Sequence, residues 1–408
     1  MRIALFDYKI IPTNPIGSCH RRMLMGLSRE HEFVVFAVQF DNPDPDRIRF
    51  VRVPVPTRPL ALLFIAFHLL APIVYLIYKL RTRQRFDLIQ TVESNCALRA
   101  GIVYAHFCHR RFLKIHWPAV KTRGLRGFLR WLDHFLHSLV EPGVYRRAER
   151  IIVPSHGLRR ELALEYPACE RKISVLANPV DLDRMRRPED FDRQAVRSAS
   201  GFAPDDTVLV FVALGHFERK GLPLVLDAMA THLPANVKLN VVGGESGLIE
   251  SYRRKVSEMN LSQRVNFTGM QKDVRPHFWS ADAFVLPSVY EVFPLVALEA
   301  AAAGIPMIVS PLNGVEEFLR DGENGFLIER SSAGVANGVR RLIAMSQSQR
   351  DALGAQAQQD VRQYSIPAFQ EKWREVYAHH LAAPLAGRGA LRVPRPASGA
   401  AKHAKQLS

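Results

Sequence analysis

The stretch DAFVLPSVYEVFPLVALEAAAAGIPMIVS (282–310) decides the fold. An apolar run, DAFVLPS (282–288), leads into a short loop, an Ala-rich helical pattern near 295–303 and a second apolar run, PMIVS (306–310). Strand, helix and strand in such close succession make a βαβ unit, whose two strands run parallel in one sheet. Pro294 fits the first position of the helix, and Gly304 fits its C-terminal cap, with Pro306 beyond it. Glu291 therefore falls in the loop after the first strand, and Glu299 near the first turns of the helix. On one continuous helix, residues at this spacing would lie about 80° apart, sharing neither a point nor opposite faces.

Working outward, the same alternation fills the chain. Upstream lie TVLVFVAL (207–214), a helix from Gly221, VKLNVVGG (237–244), a helix near 247–259 and RVNFTG (264–269). A charged, less periodic stretch near 181–205 precedes them. Before it the pattern runs through IALF (3–6), FVVFAV (33–38), DLIQT (87–91), GIVYAHF (101–107), a helical stretch near 124–139, RIIVP (150–154) and KISVLANP (172–179). Two such runs around a connector predict an α/β protein of two Rossmann-like, doubly wound parallel-sheet domains, 1–177 and 178–365. In sheets of this kind ligands bind beyond the carboxyl ends of the strands, so a cleft between the domains is the expected site.

The 408 residues carry 55 Lys+Arg against 39 Asp+Glu, and the excess is uneven. Residues 1–172 hold 28 basic and 14 acidic side chains, residues 173–381 hold 22 and 25, and residues 382–408 hold five and none. A basic first half points to a polyanion, either nucleic acid or anionic membrane. Four cysteines without a C-x-x-C pair indicate a reducing cytosolic compartment. MRIALFDYKI (1–10) reads as a first strand and not as a signal peptide. LALLFIAFHLLAPIVYLIY (60–78) is long enough to span a bilayer. However, strands of one sheet lie on both sides of it, and His68 and Pro72 interrupt it. A helix docked on the sheet or lying in the membrane interface fits better, its basic flanks (Arg58, Lys79, Arg81, Arg83, Arg85) drawing anionic headgroups at ~1 kcal/mol each. The tail, 382–408, is rich in Ala, Gly, Pro and basic residues and reads as disordered.

Several residues are placed for chemistry. The N–H groups of Phe293, Leu295 and Val296 point from a helix start, which suits a phosphate. A carboxylate just inside that helix, Glu299, can accept both hydroxyls of a ribose diol, while Glu291 in the loop ahead can orient a sugar. In ALGHFERKGLPLVLDAM (213–229), Arg219 and Lys220 stand at a strand-to-helix junction before Gly221, a setting that suits a pyrophosphate. HFCHRRF (106–112) offers His106, and His109 as a second choice, at the end of a strand facing the cleft. Cys108 between the two histidines raises a zinc site, but no second cluster with ligand spacing follows, so no metal is expected. Asp44-Pro45-Asp46 and Asp181-x-Asp183 lie in connectors and are set aside.

SVYEVFPLVALEAAAAGIPMIVS (288–310) resembles the E-x7-E signature of glycosyltransferase family 4, retaining enzymes of the GT-B fold, whose two domains face each other across a cleft. The resemblance covers nearly all of residues 1–380 and is densest from 207 to 330. It implies that Glu299 holds the nucleotide ribose, that Glu291 contacts the donor sugar, and that the helix start faces the diphosphate. GHFERKG (215–221) is similar to the family's G-x-x-x-x-K-G loop, which makes Gly215, Arg219 and Lys220 donor-binding. His216 stands where many members have Arg, so Arg219 takes that role. His106 is implied beside the reacting sugar, and Gly269 near the base. Of the family's Gly-Gly pair in the first loop only Gly17 is present, after Ile16, and ANPVD (177–181) carries Pro179 in place of a glycine. The implied activity is metal-independent transfer of a hexose from an NDP-sugar (UDP- or GDP-linked) to an acceptor hydroxyl. The first domain would bind the acceptor and the second the nucleotide sugar, and a C-terminal helix, 366–381, would pack back on the first domain. With the charge and the apolar helix, this points to a peripheral enzyme on the cytosolic face of the plasma membrane acting on a lipid-linked saccharide in envelope polysaccharide or lipopolysaccharide synthesis. The alternatives are an NDP-sugar epimerase of the same fold, a catalytically silent partner subunit, and a nucleic-acid-binding protein. The last is disfavoured because the basic residues surround an apolar helix and no reading module is present.

Overall fold

The computed structural model describes residues 1–120 and 124–382; the tail assigned to 382–408 lies almost wholly outside them. Two all-parallel sheets carry the molecule. The first contains β1 (Arg2–Ile10), β2 (Glu32–Phe40), β3 (Ile48–Arg52), β4 (Leu88–Val92), β5 (Ile102–Tyr104), β6 (Arg150–Val153) and β7 (Ile173–Val175), in the order β3-β2-β1-β4-β5-β6-β7. The second contains β8 (Thr207–Val212), β9 (Val237–Val242), β10 (Val265–Gly269), β11 (Ala283–Leu286), β12 (Met307–Val309) and β13 (Phe326–Leu327), in the order β10-β9-β8-β11-β12-β13. Near-continuous burial along β1, β2, β8 and β11 is what helices on both faces of a sheet require. Both strand orders reverse once, between β1 and β4 and between β8 and β11, which makes two switch points.

Around the sheets run α1 (Pro15–Leu27), α2 (Leu60–Thr82), α3 (Gly124–Arg147), α4 (His156–Glu165), α5 (Phe217–Lys220), α6 (Leu222–Thr231), α7 (Leu295–Ala302) and α8 (Ile366–Ala382). Several elements differ from the sequence reading. β3 and β13 were not expected: β3 is an edge strand with exposed charged residues, and β13 is two residues long. The helix near 124–139 continues through Pro142 to Arg147. Pro294 caps α7 from outside, at φ −73° and ψ 98°, so the helix proper begins at Leu295. Arg219 and Lys220 stand on a single helical turn, α5, and not in an open loop.

α2 buries Leu63, Phe67 and Ala71 against the first sheet, whose β4 follows it directly, and Phe64 against His137 of α3. Its other face leaves Leu60, Leu62, Leu69, Ile73, Leu76 and Leu80 exposed. At the far end of the chain, α8 lays Phe369, Trp373 and Tyr377 into the first domain's core beside Met23 and Leu27 of α1. Gln370 Nε2 donates to Arg22 O at 2.8 Å, and Tyr377 OH to Gln90 Oε1 at 2.8 Å.

Candidate functional site

The second domain's half of the site grows from its switch point. α5 follows β8, the loop carrying Glu291 follows β11, and these two strands are neighbours. Lys220 Nζ lies 2.6 Å from Glu291 Oε1, and Arg219 Nη1 lies 3.5 Å from the same oxygen. Arg219 Nη1 also donates to Tyr290 O at 2.8 Å, and Ser288 Oγ donates to Glu291 Oε1 at 3.0 Å. Although burial works against it, the two cations and the Ser288 hydroxyl hold the Glu291 carboxyl below its usual range. One carboxylate faces two cations, so the cluster keeps a net positive charge, and Arg219 Nε is buried without a hydrogen-bond partner among the described residues.

Gly221 makes this arrangement possible. Its φ is +84°, and a Cβ there would stand 2.2 Å from Pro287 O. Backbone from β11's loop therefore presses directly on the end of α5, with Val289 N donating to Arg219 O at 2.9 Å. His216, which caps α5 from outside in a left-handed conformation at φ 56°, is pushed down to about 4 by partial burial and then by Arg130, Arg219 and Lys220. The imidazole is neutral at pH 7 and adds no charge.

At the start of α7 the N–H groups of Leu295 and Val296 precede the first intrahelical bond, from Ala297 N to Pro294 O, and no side chain caps them. Phe293 is buried against Phe318 and Tyr364, so its ring belongs to the core. Glu299 is half-buried and its carboxylate makes no hydrogen bond or ion pair with a described residue; burial raises its pKa, with Arg22 and Arg184 opposing. Gly215 has open space where a Cβ would be, whereas Gly269, at φ +70°, ends β10 and accepts from Gly243 N.

The first domain contributes differently from the sequence reading. Gly17 is buried, its N–H donates to Asn14 Oδ1 at 2.7 Å, and a Cβ would meet Lys9 O at 1.9 Å. Its glycine is thus required by the packing of α1 on β1. His106 lies just beyond β5 with its Nε2 buried and unpartnered among the described residues, and burial beside His20 pushes it down to about 3. Tyr8 OH, Thr91 Oγ1 and Asn95 Oδ1, from β1, β4 and the loop after β4, are buried and unpartnered as well. The four atoms stand at or just beyond the carboxyl ends of β1, β4 and β5, which are neighbours in the sheet, and sequence reasoning found only His106 among them. An unmade hydrogen bond at a buried group costs ~1–3 kcal/mol, so each of these atoms is a position a polar ligand would satisfy. His109, the second choice, is engaged elsewhere: its ring stacks on His137 and its Nε2 lies 3.3 Å from Glu93 Oε2.

Arg130 of α3 was also missed. It stacks over Trp117 and has no acidic partner among the described residues; burial and then Arg219 lower its pKa, which sets it facing the second domain's cations. The two halves touch directly. Tyr290 and Val292 pack into the first domain's core, and Glu161 of α4 accepts from Tyr290 OH and Asn313 Nδ2, both at 2.8 Å. The cluster Arg219–Lys220–Glu291 is one unit; Glu299, His106, Gly215 and Gly269 do not bond to it directly.

Residues 21–184 match the family model described as Glycosyltransferase Family 4, and residues 206–345 match that described as Glycosyl transferases group 1. The chain belongs to the family 4 glycosyltransferases. It is 33% identical over 245 residues to D-inositol 3-phosphate glycosyltransferase of Mycobacterium leprae, a match covering 58% of this chain and 54% of that protein. The chain thus spans about half the length of such relatives. Among solved structures, sucrose-phosphate synthase of Thermosynechococcus elongatus superposes with a TM-score of 0.75 at 21% identity, over 94% of this family member and 100% of that chain. WaaG, a glycosyltransferase involved in lipopolysaccharide biosynthesis, gives 0.72 at 17% identity over 92% and 99%. HepE of Anabaena, solved with UDP-glucose, gives 0.70 at 17% identity over 93% and 100%. At these identities the likeness establishes the shared fold, two Rossmann-like domains in the GT-B arrangement.

Proposed function

We propose that this protein transfers a hexose from an NDP-sugar to a hydroxyl of a lipid-linked saccharide with retention at the anomeric carbon, working from the cytosolic face of an anionic membrane. The observation that carries the reading is the Lys220–Glu291–Arg219 cluster beside the uncapped start of α7. Two cations and a helix N-terminus supply positive charge where a departing nucleoside diphosphate needs it, so the transfer step is proposed to run without a metal. The unpaired carboxylate of Glu299 takes the ribose diol, and Glu291, held by Lys220 and Ser288, contacts the donor sugar. His106, neutral with an open Nε2, faces a sugar hydroxyl from the other domain. No side chain offers itself as a covalent nucleophile, which favours same-face attack assisted by the leaving phosphate. HepE's complex with UDP-glucose makes UDP-sugars the first donors to try. The exposed apolar face of α2 and the basic first half support contact with anionic lipid in envelope polysaccharide or lipopolysaccharide synthesis.

A thermal-shift screen of UDP-, GDP- and ADP-sugars identifies the donor, because a ligand that binds only the folded chain raises its apparent stability. With that donor, Lys220→Ala and Glu299→Ala should each lower transfer about a hundredfold. Near-normal turnover in both variants would sink the reading.

A further inference from the structure

Behind the wall that carries His106, the fold brings together residues far apart in sequence. Glu93 follows β4, His109 follows β5, and His137 stands on α3; all three are buried. One ligand atom from each lies within 4.8 Å of the other two. His109 Nε2 is 3.3 Å from Glu93 Oε2. Asp133, one turn before His137 on the same face of α3, brings its Oδ1 to 3.9 Å from His137 Nε2.

The surroundings fix the other ring nitrogens. Ser94 Oγ is 2.8 Å from His137 Nδ1, and His134 Nδ1 is 2.9 Å from His109 Nδ1. Both histidines are thus held through Nδ1 while Nε2 faces the carboxylates, the manner in which metal-ligating imidazoles are oriented. Glu93 itself is kept in a left-handed conformation at φ 46°.

We propose that Glu93, His109 and His137, with Asp133 as fourth ligand, bind a divalent transition-metal ion of the Zn2+ type. Two imidazoles and two carboxylates suit that ion, and a closed four-ligand set suits a structural site. The ion joins the loops after β4 and β5 to α3 and so stiffens the wall behind His106; it takes no part in the transfer step proposed above. The two rings stack at 4.1 Å between centroids with 5° between their planes, so binding tilts one of them about χ2, a soft torsion.

The test uses the untagged full chain, stripped with a chelator, desalted, and loaded with Zn2+ or Co2+. One Zn2+ per chain should survive desalting and raise Tm, and Co2+ should give the visible bands of four-coordinate nitrogen and oxygen ligation. Glu93→Gln and His137→Gln should lose both signals while keeping the wild-type circular dichroism. A folded wild type that retains no ion and gives no Co2+ bands overturns the proposal. So do two folded variants that hold the ion as tightly as the wild type. Should either variant fail to fold, the wild-type Co2+ spectrum decides alone. None of these readouts depends on sugar transfer, so they stand apart from the test of that reading.

Discussion

Gly221 and Glu291 act on the same two cations from opposite sides, one by being small and the other by being charged. An alanine at 221 would have to keep φ +84° and place a methyl 2.2 Å from Pro287 O. That combination costs ~1–3 kcal/mol and moves α5 away from the loop of Glu291. Gly221→Ala should therefore lower the midpoint of denaturant unfolding and also weaken calorimetric binding of whichever sugar nucleotide the thermal-shift screen identifies; unchanged values for both would refute the packing argument. Glu291 yields a pH prediction. Its folded pKa lies below its ordinary value of 4.5, so its pairing with Lys220 contributes stability above that value and loses it as pH falls through the folded pKa. Glu291→Gln should be less stable than wild type at pH 7 by ~1–3 kcal/mol, because Lys220 loses its partner. The gap should close as the solution is acidified toward pH 3, read from urea unfolding at each pH. At this scale the sequence was partly legible. The carboxylates and cations of the second domain stand within short, recognisable strings. The choice between His106 and His109 was not, since it turns on Glu93, His134 and His137, which no local spacing connects.

Elements were legible where their periodicity is strong and their surroundings uniform. β1, β2, β8 and β11 are buried on both faces and read as plain apolar runs, whereas β3, an edge strand that exposes Arg49, Phe50 and Arg52, has no such signature. α2 was legible as a helix and ambiguous in its partner, because a helix that is apolar all round carries no record of which face meets protein. The structure divides that surface, and the exposed side yields a prediction. Leu69, Leu76 and Leu80 are 64%, 53% and 69% exposed. Replacing all three by Gln should change folding stability little, within ~0.5 kcal/mol per site. It should nonetheless abolish flotation with anionic liposomes, since each leucine contributes ~1.5–3 kcal/mol when its apolar surface leaves water. Flotation equal to wild type would refute membrane contact through α2.

At the scale of the whole molecule, the two-domain plan followed from local alternation, but the contacts that set the cleft could not. Glu161 lies 129 positions from Tyr290 and 152 from Asn313, and only the folded chain joins them. That junction is where the domains would move if the cleft opens. The Glu161 carboxylate accepts from both side chains of the second domain, while neighbouring Arg160 pairs with Glu316 and His156 N donates to Glu317 Oε1 at 2.6 Å. Tyr290 also directly precedes Glu291, so the bond from its hydroxyl to α4 couples domain position to the Glu291 carboxylate. Glu161→Ala removes two acceptor contacts at once and leaves a buried tyrosine hydroxyl unpaired, at a cost of ~1–3 kcal/mol to the closed arrangement. The variant should keep its far-ultraviolet circular dichroism, show a larger radius of gyration in small-angle scattering without ligand, and bind the sugar nucleotide identified by the thermal-shift screen more weakly. Saturating donor should return the radius toward the wild-type value, because a ligand that touches both domains favours the state in which they meet. A radius and an affinity both equal to wild type would mean that Tyr290 and Val292, through their packing in the first domain's core, hold the cleft without Glu161.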